Sequence, residues 1–128
     1  MKPTFFLAIA ALGGCLSVAM GAFGAHLLKS KLTLEKLSAW ETAVQYQSYH
    51  VLALLAVALW LANQSVSLLQ GAAICFIVGT VLFSGSLYLL ALGAPRFLGM
   101  VTPLGGVLLI VGWLLLFAAA VFQLKNQA

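Results

Sequence analysis

A chain of 128 residues that is 64% hydrophobic and only 6% charged is not an ordinary soluble domain, in which about a quarter of the residues carry charge. A soluble core of this size could not hide so much apolar surface, because small domains leave much of their surface exposed; lipid is the solvent that suits it. The net charge of +4 comes from Lys2, Lys29, Lys31, Lys36, Arg96 and Lys125 set against two acids, and their spread over the chain excludes a nucleic-acid patch.

A helix needs about 20 apolar residues to cross the hydrocarbon core. Thr4 to Leu28 has no charged residue, His26 near its end being the only titratable base, and is expected to form helix 1. Lys2 before an apolar run imitates a signal sequence, and Leu12-Gly13-Gly14-Cys15 resembles a lipoprotein cleavage box. The run continues to Leu28, however, beyond the roughly 7–15 residues of a signal core. Helix 1 is therefore expected to be retained. Cys15 and Cys75, both mid-helix in apolar surroundings, read as buried, inert thiols.

In the linker Lys29 to Leu37, leucines alternate with lysines and Glu35. Such a segment fits an interfacial stretch on anionic headgroups or a solvated loop.

Helix 2 is the odd one. Ser38-Ala39-Trp40-Glu41 matches a capping box, so a helix is expected over 39–62. Its purely apolar part, Val51 to Ala62, has twelve residues, too few to span. The polar half with Gln45, Tyr46, Gln47, Ser48, Tyr49 and His50 must enter the membrane too, where polar groups need partners within the protein. Helix 2 is therefore expected to be the least lipid-exposed, wrapped by the other three.

Helix 3 is expected over 68–92, ended by Gly93 and Pro95. Helix 4 is expected over 103–123, with Thr102 as cap and Pro103 at the first helical position. Gly14 and Gly21 share one helix face, as do Gly105 and Gly112; with Gly85 and Gly106 they are expected to line helix–helix contacts. Four helices place both termini on one side. The two basic loops hold four cations, against two lysines and the amino group at the termini, which leans toward cytoplasmic loops.

His50, near the middle of helix 2, is the sharpest chemical candidate, because an ionisable residue at that depth suggests function. Tyr46 lies four residues earlier on the same face. Ser84, Ser86 and Tyr88 of helix 3 and His26 of helix 1 could complete a cluster holding a polar headgroup, a quinone or a proton path. Each has a structural reading as well. His50 would be a neutral core histidine bonded to a serine or carbonyl. His26 would complement the end of helix 1, and Glu41 would complete the capping box. Trp40, Tyr46 and Tyr49 would be interfacial aromatics.

Catalysis has little support. The chain has no aspartate and no paired carboxylates within the spans, and its histidines and cysteines lack metal-site spacing. Neither a catalytic residue nor a metal or other cofactor is expected.

The chain carries Gly21-Ala22-Phe23-Gly24-Ala25-His26, then Trp40-x-Thr42-Ala43-x-x-Tyr46-Gln47-x-x-His50, then Leu82-Phe83-Ser84-Gly85-Ser86-Leu87-Tyr88, then Thr102-Pro103-Leu104-Gly105-Gly106 and Gly112-Trp113. In this order and over nearly the whole chain, these motifs closely resemble the small membrane protein family catalogued as domain of unknown function number 423. Animal transmembrane protein 256 looks like a relative. The resemblance implies a multi-pass protein of the bacterial inner membrane and no particular activity.

The expectation is an all-α integral membrane bundle of four transmembrane helices forming one domain over 1–128. The leading function class is structural, interaction or lipid binding, through a site drawn from His26, Tyr46, His50, Ser84 and Tyr88. The expected partners are membrane lipid and a second copy or another membrane protein. The alternative is a small transporter or proton conductor using His50.

Overall fold

A computed structural model describes residues 1–127. Four helices, α1 (Pro3–Phe23), α2 (Leu34–Asn63), α3 (Ser67–Ala91) and α4 (Val101–Gln127), fill almost all of it. Each is long and apolar enough to cross a membrane.

α1 opens on Pro3 and ends in a wider π-turn over Gly24–Leu28, where the Lys29 amide donates to the Gly24 carbonyl five residues back at 3.1 Å. α2 begins five residues before the expected box. Thr33, not Ser38, is its cap: the Thr33 hydroxyl accepts from the Lys36 amide at 3.3 Å, and Glu35 sits in the positive first turn. Leu34 and Leu37 are spaced as helical neighbours, so half of the expected linker is helix. At 30 residues, α2 is about 45 Å long. That exceeds a hydrocarbon core of about 30 Å, so its first turns project to the headgroups.

α3 ends as expected. Gly93 takes φ 97°, and the Ala94 amide reaches back to the Leu89 carbonyl at 2.9 Å. The expected start of α4 does not hold. A 3₁₀ turn over Arg96–Met100 feeds straight into Val101, and Pro103 sits inside the first turn, where no amide is needed. Thr102 is not a cap; its hydroxyl pairs with Ser86 of α3 at 2.6 Å.

The helices pack largely in chain order: α1 on α2, α2 on α3, α3 on α4. α2 is the most enclosed, with 39% of its most apolar stretch buried against 17% in α1 and in α4. It is flanked by α1 and α3 rather than wrapped by all three, and α4 reaches it through Trp113. The main core joins Phe6, Leu54, Val57, Leu69, Phe76 and Leu109. A smaller one gathers Leu28, Trp40 and Ala91 at the loop end, beside Tyr88.

Gly105 allows the closest approach: a Cβ there would fall on the Phe83 backbone. Its face-mate Gly112 meets the Phe76 ring, where a Cβ would lie 2.7 Å away. These two bear out the packing expectation for α4. Gly14 and Gly85 do not, since a Cβ on either meets nothing within 4 Å, and Gly21 and Gly106 would make only ordinary contacts. The tight position on α1 is instead Gly13, against Val51. Cys75 is half-buried, whereas Cys15 is exposed on the outer face of α1, contrary to the expected burial.

Candidate functional site

The polar face of α2 is set by helical spacing. Trp40, Ala43, Gln47, His50 and Leu54 follow one another at three- and four-residue intervals, and all are buried. From this stripe, hydrogen bonds reach every other helix. The Trp40 indole donates to the Met20 carbonyl of α1 at 2.9 Å, just before the π-turn. Its ring lies 4.6 Å from that of Tyr88. The Tyr88 hydroxyl donates to Gln47 Oε1 at 2.8 Å, and Gln47 Nε2 donates to the Gly13 carbonyl at 3.0 Å, so one amide ties α3 to α1 through α2. The Ser84 hydroxyl donates to the Ala43 carbonyl at 2.8 Å.

His50 has both ring nitrogens engaged. Nδ1 lies 2.6 Å from the Tyr46 carbonyl, and the Trp113 indole of α4 lies 3.1 Å from Nε2. An indole N–H only donates, so Nε2 is the acceptor and the proton sits on Nδ1. This arrangement holds a neutral imidazole; a second proton would set two donors against each other. The Phe76 ring packs against the same imidazole at 5.7 Å.

The other sequence candidates divide. Ser84, Tyr88 and His50 come together along one cavity. Tyr46 stacks on Phe83 at 4.5 Å but stays 38% exposed on the outer side. His26 is exposed in the π-turn, outside the cluster. Gln45 is exposed and bonded only to the neighbouring Tyr49, so it was wrongly counted among the groups needing internal partners. Trp40 is 3% exposed and hydrogen-bonded, not an interfacial aromatic. Gln47 is among the polar residues expected to need internal partners but not among the candidate site residues, and Trp113 stands only within a motif. The available signal was that Gln47 lies seven residues after Trp40, two turns along the same face. Among the described residues, the Ser17 hydroxyl on α1 is the buried side-chain group without a partner.

The cavity measures about 310 Å³ and lies mid-span over α2, between α1 and α3. Leu12, Leu16, Val51, Leu54, Ile77 and Val81 give it apolar walls. Gln47, His50, Thr80, Ser84 and Tyr88 also border it, and the hydrogen bonds just described occupy the polar atoms of all of these but Thr80. Such a space suits hydrocarbon better than a proton or a polar solute.

The family described as "Protein of unknown function (DUF423)" matches residues 20–106. A UPF0382 membrane protein of Staphylococcus saprophyticus is 48% identical over 111 residues, covering 87% of this chain and 92% of its own length. The UPF0382 inner membrane protein YgdD of Escherichia coli strain K12 is 39% identical over 127 residues, covering 99% and 96%. No solved structure matches.

Proposed function

The chain belongs to the DUF423 family, and we propose that this multi-pass inner-membrane protein is a non-catalytic lipid-binding protein whose mid-span cavity holds one hydrocarbon chain of a membrane lipid. The observation that carries the reading is a largely apolar cavity of about 310 Å³ at which Gln47, His50, Ser84 and Tyr88 are already committed to interhelical bonds. Both carboxylates, Glu35 and Glu41, lie in the first turns of α2, outside that cavity, so no acid–base pair faces it. Pairing with a second copy or another membrane protein would use α1 and α4, which are the least buried helices.

Gly85 gives a clean test. It lines the cavity, and a Cβ there meets nothing within 4 Å, so Gly85→Phe fills the space without pushing helices apart. Native mass spectrometry of the protein extracted in mild detergent should show retained lipid for the wild type. Gly85→Phe should retain less of it while melting at the same temperature. Equal retention by both proteins contradicts the proposal.

A further inference from the structure

A second recess lies at the loop end of the bundle. It is an open cleft of about 730 Å³ across the α2–α3 seam. Leu87, Leu90, Ala91 and Ala94 make its floor, and of these Ala91 is buried and the others half-buried. Lys36 from the start of α2 and Arg96 from the α3–α4 connection stand on its rim, with Glu35 and Thr33 beside them. The two cations come from different helical hairpins, so the fold alone brings them to one opening. Neither forms a salt bridge among the described residues.

The depth of the cleft can be read from its neighbours. Leu34, Phe97 and Met100 flank the same end, and all are strongly exposed. Bulky apolar side chains beside basic residues at the ends of spans belong at the boundary between headgroups and acyl chains. A ligand at that depth meets cations above and hydrocarbon below.

We propose that this cleft is a binding site for an anionic glycerophospholipid, with the phosphodiester held by Lys36 and Arg96 and the acyl chains running down over Leu87, Leu90 and Ala91. Glu35 makes the rim charge +1 in sum, from two cations and one carboxylate. That matches a lipid carrying one net negative charge, such as phosphatidylglycerol. The guanidinium gives a two-pronged grip on phosphate oxygens and the ammonium a point charge. The glycerol hydroxyls of the headgroup can donate to Glu35. A free phosphate ion would leave the apolar floor unused. The site is distinct from the mid-span cavity, with which it shares no lining residue, and does not rest on the function proposed for it.

The test is a native mass spectrometry titration of the full chain with phosphatidylglycerol, phosphatidylethanolamine and phosphatidylcholine. The wild type should prefer phosphatidylglycerol. A basic residue near an anionic surface contributes about fivefold in binding, so Lys36→Gln and Arg96→Gln should each weaken the preference about fivefold and together abolish it. Both side chains are exposed, so melting should not change. Lys29→Gln with Lys31→Gln should keep the preference, as should Gly85→Phe, and millimolar inorganic phosphate should not compete. An unaltered preference in the Lys36/Arg96 double variant overturns the proposal. So does equal loss from the Lys29/Lys31 pair, which would signal diffuse surface charge. Loss in Gly85→Phe would make the two recesses one site, and displacement by inorganic phosphate would make the ligand a free anion; either result also overturns it.

Discussion

Replacing Gly105 with leucine should lower the stability of the bundle in detergent by about 3 kcal/mol or more, the upper range for overpacking a well-packed contact. The reason is the absence of any side chain between α4 and α3 at this point. A Cβ would land on the backbone of Phe83 and lie 2.9 Å from the Gly79 carbonyl. A flexible side chain could move aside, but a helix backbone can move only by shifting the whole helix. Helix association in lipid depends on such close packing because no hydrophobic drive separates helix surfaces from lipid tails. The control is Gly14→Leu. Gly14 looks like an equivalent helix glycine in the sequence, yet its Cβ would meet nothing within 4 Å. Thermal melting should separate the two variants clearly, and a Gly105→Leu protein melting like the wild type would remove close packing as the basis of the α3–α4 contact.

Gln47→Leu should have the next largest effect, about 1–3 kcal/mol. It strands the Tyr88 hydroxyl in a low-dielectric setting and removes the bond to the Gly13 carbonyl, which keeps only its intrahelical amide. Leucine fills a similar volume, so the loss would be one of hydrogen bonding. Tyr88→Phe removes only one bond, and single interhelical bonds in membranes average about 0.6 kcal/mol, so its effect should be smaller. Chemical unfolding of both variants and of the double variant checks this. The double variant should be less destabilised than the sum of the singles, since Tyr88→Phe removes the group that Gln47→Leu strands. Strict additivity would mean that the two residues do not form one link.

Most of the helix order was legible in composition alone, because runs without charge have one place to go in a cell. Their ends were less so. The α2 start was misplaced because Ser38 and Glu41 have capping-box spacing, while the actual cap, Thr33, lies in a segment whose lysines suggested a loop. The start of α4 was misplaced because Thr102 before Pro103 looks like a cap, whereas its hydroxyl is claimed by Ser86 across the interface. That is a tertiary effect no local pattern encodes. Among glycines, face-sharing found Gly105 and Gly112 but could not say which faces meet a neighbour, so it favours Gly14 over the adjacent Gly13, which makes the contact. At the site, the depth of His50 was readable from its place in the helix. Its partner Trp113 lies 63 residues away on another helix, and nothing in the sequence pairs them.

That pairing bears on what the motifs are for. The stripe Trp40, Gln47 and His50 joins α1, α3 and α4 in turn, and in this account the polar residues at membrane depth hold the helices together and close one wall of a lipid cavity. The most direct measurement pairs two readouts on His50→Phe, which cannot accept from the Trp113 indole: stability in detergent and proton flux in liposomes. The account predicts a loss of about 1–3 kcal/mol from the stranded indole, with flux at the level of protein-free liposomes for wild type and variant alike. Flux above that level in the wild type, abolished in His50→Phe at unchanged stability, would contradict it and make His50 a proton-conducting group.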